Sequence, residues 1–353
     1  MIARRTLLAA PFAVPLRAAA PRVLERYLAV DNVCAWPKLT VLPGGVLAAA
    51  IFSQPSHGGA QGDVACYTSA DGGRNWALAG VPAPHESGTL RANHAIGIAN
   101  NGDLIVLAAG WKLNSANKKV HLLPCWVCRS SDAGKTWTRI DRFPSGPDNY
   151  VLVPFGNISP GADGALRVSA YVYRADRNPR VDTCVVLRSP DDGRSWQIFG
   201  EIGNRVHNET DIAHLGRGRW LAAARALSAP GAPKAHTTDI LVSEDDAKTW
   251  RTAGLSTAGD ELPGDLCVLR DGRVVFTYGS RRTGQYGTIA RVSTDSGRNW
   301  SEPYELASYT NRDSGYPSTV ETREGHLVTA YYARSSREHH RYHMGVVLWE
   351  SKG

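Results

Sequence analysis

The chain has 353 residues, of which 42% are hydrophobic and 21% charged, with a formal net charge of +7. That balance excludes a disordered chain, and 35 Gly, 20 Pro and ten Trp beside two Met suit short strands and turns better than a helical bundle. The basic residues form no single run, which argues against a nucleic-acid partner and for a mild attraction to acidic ligands.

Residues 1–20 read as an export signal. Arg4 and Arg5 precede a short apolar stretch that ends in Ala18, Ala19 and Ala20, and the arginine pair is of the twin-arginine type. The expected address is periplasmic or extracellular. Beyond it no run of roughly 20 apolar residues offers a membrane span. Residues 21–353 are read as a single domain. Cys125 and Cys128 have CxxC spacing, but no second pair or nearby His pair completes a zinc set. The six cysteines are therefore read mainly as buried thiols.

From residue 21 onward the chain repeats. An apolar strand, a Gly-containing turn and a second apolar strand come first, with Pro43-Gly44-Gly45 at the turn. Next comes the octet Ser69-Ala70-Asp71-Gly72-Gly73-Arg74-Asn75-Trp76. The turn then recurs at Asn101-Gly102, Asp163-Gly164, Arg217-Gly218, Asp271-Gly272 and Glu324-Gly325. The octet recurs at Ser130–Trp137, Ser189–Trp196, Ser243–Trp250 and Ser293–Trp300, with Ala247 where the others have Gly. An Asp that accepts turn amides, a Gly tolerant of positive φ and a Trp that anchors the returning strand together specify a tight turn between strands. Each unit thus holds a hairpin, a third strand, the Asp turn and a fourth strand. Six units predict an all-β fold, a six-bladed β-propeller of four-stranded antiparallel blades. The last unit lacks the octet, and its outer strand is expected from residues 21–28, which would join the chain ends.

In such a blade, functional residues sit just before the first strand or just after the second. Those positions carry Ala35-Trp36, Arg91-Ala92-Asn93-His94, Tyr150, Asn208-Glu209-Thr210-Asp211, Gly264-Asp265 and Gly315-Tyr316 at strand starts. Strand ends carry His57, Trp111-Lys112, Tyr173-Arg174, Arg225, Arg281-Arg282 and Arg334. Polar and aromatic residues converge on one face, which predicts a pocket at the axis. Arg91, Asn93, His94 and Asp265 are candidate ligand-binding residues on this ground. The Asp residues of the octets are read as structural.

The octets resemble the Asp boxes, or BNR repeats, of the sialidase superfamily, over roughly residues 30 to 345. The resemblance implies a sialidase-like propeller and exo-acting hydrolysis of a terminal acidic sugar. It implies Tyr316, in Asp313-Ser314-Gly315-Tyr316-Pro317-Ser318, as nucleophile and Glu209 as its base. A phenol with a pKa near 10 needs such a base, and a tyrosine nucleophile departs from the usual carboxylate pair of glycosidases. Arg225 and Arg281 or Arg282 match arginines that hold the sugar carboxylate, for which a planar guanidinium is suited. The family's first arginine is absent, because the matching stretch reads Ala35-Trp36-Pro37. Arg91 could reach the same space. The absence widens the expected substrate from sialic acid to a uronic or another keto-acid sugar. The acid/base falls in Phe52–Asp63, where His57 or Asp63 could serve. No metal or cofactor is called for.

Two other readings stay open. A lyase for uronic-acid polysaccharides would use His57 or His94 with Tyr316 as base and acid. A non-catalytic glycan-binding propeller would leave Tyr316 and Glu209 out of contact, whereas an enzyme needs them within hydrogen-bond reach.

Overall fold

A computed structural model describes residues 21–146, 149–173, 182–203, 206–227 and 236–351. The export-type segment 1–20 and Arg174 lie outside the described residues. The described residues form 24 strands and contain no α-helix.

The strands group in fours along the chain. β1 (Arg22–Asp31) stands apart at the start. Then come β2 (Ala35–Val41), β3 (Leu47–Phe52), β4 (Val64–Ser69) and β5 (Ala77–Ala83). The second group is β6 (Thr89–Ile98), β7 (Leu104–Leu113), β8 (Lys119–Ser130) and β9 (Thr138–Ile140). The third is β10 (Leu152–Pro160), β11 (Leu166–Val172), β12 (Thr183–Ser189) and β13 (Gln197–Ile202). The fourth is β14 (His207–Gly216), β15 (Arg219–Ala226), β16 (Thr237–Ser243) and β17 (Arg251–Ser256). The fifth is β18 (Glu261–Val268), β19 (Val274–Ser280), β20 (Gly287–Ser293) and β21 (Tyr304–Ser308). The last is β22 (Ser314–Glu321), β23 (Leu327–Ala333) and β24 (His343–Glu350).

Within each group the strands pair antiparallel in chain order. The last sheet takes β1 as its fourth strand, with β1 antiparallel to β24 from Arg22↔Glu350 to Asp31↔His343. The chain ends are therefore hydrogen-bonded together, one strand slightly longer than the sequence predicted. The second and third sheets are joined by a short parallel pairing of Gly156–Ile158 with Ala95–Gly97. The first strands β2, β6, β10, β14, β18 and β22 each contact the next, and β22 contacts β2. Among the described residues no helix is long and apolar enough to cross a membrane.

Burial explains why the second strands read as continuous apolar runs. β3, β11, β19 and β23 are buried at every position, because neighbouring sheets cover both their faces. The fourth strands β5 and β17 are largely exposed. Trp220 and Trp349 are fully buried, each contributing roughly 1.5–3 kcal/mol or more through lost apolar exposure.

The octets form the predicted turns. Ser69 Oγ donates to Asp71 Oδ1 at 2.8 Å, and that oxygen accepts from the amides of Arg74 and Asn75. Trp76 Nε1 closes onto the Gly73 carbonyl at 2.9 Å. The Asp132, Asp191, Asp245 and Asp295 turns repeat the Ser and amide bonds. Ala247 takes the positive φ of 73° that glycine takes elsewhere. All six cysteines are free thiols, with Cys267 alone only half-buried.

One feature carried no sequence signal. Five of the six inner hairpins shift register at the start of the first strand, between Ala35 and Lys38, Arg91 and His94, His207 and Thr210, Glu261 and Gly264, and Gly315 and Ser318. The third shifts further along its first strand, between Phe155 and Ser159. A bulge breaks the two-residue alternation and re-aims a side chain. Trp36, Asn93 and Tyr316 lie at these bulges with φ of 46°, 57° and 49°. Such backbone is strained for these residues and collects at functional sites.

Candidate functional site

The bulged ends of β2, β6, β14 and β22 bring Trp36, Asn93, Glu209 and Tyr316 around one narrow cavity of about 70 Å³. Lys38, His57, His94, Lys119 and Phe155 complete its lining. Ordinary ligand pockets exceed ~300 Å³. In the lining of this one, the Lys119 ammonium stands 5.6 Å from the Trp36 ring.

Tyr316 and Glu209 are the centre. The Tyr316 hydroxyl lies 2.8 Å from both Glu209 carboxylate oxygens. Arg225 Nη1 donates to Glu209 Oε2 and stands 3.5 Å from the Tyr316 oxygen. Burial pushes the Glu209 carboxyl upward, but the Arg225 charge and the Tyr316 and Arg225 hydrogen bonds outweigh it and hold the group below its usual range. Burial and the Glu209 charge raise the Tyr316 phenol above its ordinary value. Glu209 is thus an ionised acceptor already in contact with the phenol proton.

Arg281 lies over the Tyr316 ring at 5.3 Å and bonds the Ser314 carbonyl through Nε at 3.2 Å. Its Nη2 is buried without a partner. Lys119 stands between Trp36 and Trp111, and desolvation lowers its pKa. Both cations act on Glu209, and neither has an ion-pair partner among the described residues. The site therefore favours an anion.

His57 closes one side, edge-on to Trp36 at 4.9 Å between ring centroids. Its Nδ1 is 2.6 Å from Asp313 Oδ1. Tyr332 donates to the same oxygen at 2.7 Å, and Tyr342 donates to Oδ2.

Four candidates lie elsewhere. Asp63 accepts from the amide of His85 at 2.7 Å and meets its Nδ1 at 2.6 Å. Arg91 is stacked on Trp126 at 3.5 Å and donates to the Pro124 carbonyl, so it does not stand in for the missing arginine. Arg282, just past the end of β19, is half exposed and pairs with Glu261 at 3.5 Å. Asp265 is wholly buried, paired with Lys38 at 3.3 Å and accepting the Thr319 amide, so it ties β18 to β2 and β22 instead of facing a ligand. Asn93 and His94 do line the cavity. Asn93 accepts from Trp111 Nε1, and His94 is buried with Nε2 on the Ala50 carbonyl and its pKa pushed down to about 4 by desolvation. A buried neutral imidazole of that kind is a poor proton shuttle.

Lys38, Lys119, Asp313, Tyr332 and Phe155 escaped sequence reasoning. Asp313 had a signal, a carboxylate three residues before Tyr316. Lys119 begins a third strand and had none. At the opposite end a wider cavity of about 780 Å³ is lined by hairpin-turn and strand-end residues, with Arg270 already paired to Glu321. Among the described residues no cluster of three or more His, Cys, Asp or Glu suits a metal ion.

The BNR repeat-like domain model matches residues 44–329. A curated "Sialidase" of Bacteroides fragilis (strain YCH46) is 22% identical over 289 residues, 72% of this chain and 51% of its own. The chain thus spans about half the length of that relative. Solved structures share the fold. A protein of unknown function from Dyadobacter fermentans DSM 18053 has a TM-score of 0.78 at 20% identity, covering 96% of this chain and 100% of its own. Hadza microbial sialidase Hz136 has 0.70 at 16% identity, covering 92% and 68%. Trypanosoma rangeli sialidase in complex with the inhibitor DANA has 0.66 at 15%, covering 94% and 58%. With the family model spanning most of its length, this chain belongs to the BNR repeat-like family.

Proposed function

We propose that this chain is an exported, exo-acting glycoside hydrolase of sialidase type that releases a terminal acidic sugar from glycans. Its architecture on this reading is a six-bladed propeller over residues 21–353. The contacts among the six first strands and the β1–β24 pairing support that closure. The Arg4-Arg5 segment supports export.

One observation carries the chemistry. A buried carboxylate, a phenol and a guanidinium meet at Glu209, Tyr316 and Arg225 within hydrogen-bond distance. In the proposed reaction Tyr316 Oη attacks the anomeric carbon and passes its proton to Glu209. Arg225 and Arg281 face the sugar's anionic group, and Lys119 adds charge at the mouth. A binding protein has little use for a phenol held against an ionised base.

The test is a release assay on purified protein. It offers 4-methylumbelliferyl α-sialoside, a panel of uronic-acid glycosides and uronic-acid polysaccharides, read by fluorescence and ultraviolet absorbance. Fluorescence that disappears in Tyr316→Phe supports hydrolysis and identifies the sugar. An absorbance rise on a polysaccharide without fluorescence means elimination and overturns the proposal, as does silence on every substrate.

A further inference from the structure

We propose that Asp313, held by Tyr332 and Tyr342, orients His57 as the group that protonates the leaving oxygen. This rests on the hydrolase reading and deepens it. In that reading Asp313 is a positioning residue and His57 a catalytic one.

The geometry carries the inference. His57 lies in the loop after β3, and Asp313 immediately precedes β22. The β2–β22 contact brings the two elements together. Asp313 receives three bonds, from His57 Nδ1 at 2.6 Å, Tyr332 at 2.7 Å and Tyr342. Burial opposes the charge on Asp313, but His57 and the two phenols outweigh it and hold its carboxyl well below the usual range. Asp313 is therefore ionised, with both oxygens engaged, and has no proton to give. An anion on Nδ1 fixes a proton there and leaves Nε2 as the ring nitrogen for substrate. No bond to Nε2 occurs among the described residues. The His57 ring also packs against Trp36, with the two planes 79° apart. His57 keeps 45% of its side chain exposed, as a group that exchanges protons with water requires. The other acidic group in this loop, Asp63, is engaged by His85.

The step balances as follows. His57 Nε2–H gives its proton to the glycosidic oxygen as the C–O bond breaks and the bonding pair moves to that oxygen. Tyr316 Oη bonds to the anomeric carbon, and its proton moves to Glu209. In the second half, neutral His57 takes a proton from water, whose oxygen bonds to the anomeric carbon. The C–O bond to Tyr316 breaks, and Glu209 returns the proton to the phenolate.

The test compares wild type, Tyr316→Phe, His57→Ala and Asp313→Asn on 4-methylumbelliferyl α-sialoside and 3′-sialyllactose. An aryl leaving group needs little protonation, a sugar hydroxyl much. In kcat/KM, which reports only the step that breaks the glycosidic bond, His57→Ala and Asp313→Asn should lose about 10²- to 10⁴-fold on sialyllactose and under ~10-fold on the aryl glycoside. Tyr316→Phe should lose both. Equal losses on the two substrates, or none, in His57→Ala overturn the proposal. Loss of neither substrate in Tyr316→Phe overturns the hydrolase reading instead. Proton NMR of folded protein gives a readout independent of the sugar. A low-field Nδ1 proton of His57, present in wild type and lost in Asp313→Asn, is expected, and its absence from wild type also overturns the proposal.

Discussion

The Tyr316 hydroxyl lies 2.8 Å from both oxygens of Glu209, although 107 residues separate the two in the chain. The contact is buried, and Arg225 shares the same carboxylate. A phenol so placed has a proton acceptor already in contact.

Tyr316→Phe should therefore lower kcat on any released glycoside by at least ~10²-fold. Thermal stability should change little, since Glu209 keeps Arg225. Circular dichroism and a melting curve beside the kinetics check this.

Glu209 also predicts an acid dependence. Its folded pKa lies below the ordinary value of 4.5, so it stabilises the fold above that value. The stabilisation disappears as pH falls below 4.5 toward the folded value. Glu209→Gln should remove this part of the acid sensitivity in denaturant titrations between pH 3 and 6, with pH chosen to span about that range. An unchanged slope would count against it.

Arg281 presents a buried, unpartnered Nη2 beside Tyr316. Arg281→Lys keeps the charge and loses the fork, so kcat/KM on an acidic glycoside should fall at least ~10-fold, mainly through KM. A neutral analogue of the same glycoside should show little difference between the two proteins.

Lys38 and Asp265 form an ion pair that is almost wholly buried. Lys38→Met leaves that carboxylate uncompensated and should destabilise by roughly 3–5 kcal/mol near neutral pH. Burial already raises the Asp265 pKa, so the loss should shrink at acid pH, where the carboxyl is protonated. Chemical denaturation at two pH values measures both parts.

Gly200 and Gly80 each back onto the Asp turn of the next sheet. A Cβ on Gly200 would lie 2.4 Å from the Lys248 carbonyl oxygen, and one on Gly80 would lie 2.5 Å from that of Gly134. Backbone cannot yield as a side-chain tip can. Gly200→Ala should destabilise by at least ~1–3 kcal/mol. A melting temperature equal to wild type would contradict it.

The repeat was legible because each Asp turn is local. Ser, Asp, Gly and Trp within eight residues satisfy one another's hydrogen bonds, so the pattern survives on the page as spacing, and strand count and the pairing of the chain ends followed from it. The repeat placed Tyr316, Glu209 and Arg225 on the pocket face, but their roles were legible only through resemblance to a family, and the fold brings them together. Which of Arg281 and Arg282 faces Tyr316, and that Asp63 meets His85 while His57 meets Asp313, was decided by tertiary structure. So were the places of Arg91 on Trp126 and Asp265 under Lys38. The reason is physical. The site is assembled from bulges that reset side-chain alternation at the ends of first strands, and a bulge has no residue signature of its own. Lys119 lines the cavity from the start of a third strand, its ammonium near two tryptophan rings, Trp36 and Trp111, that only the folded sheets bring within range.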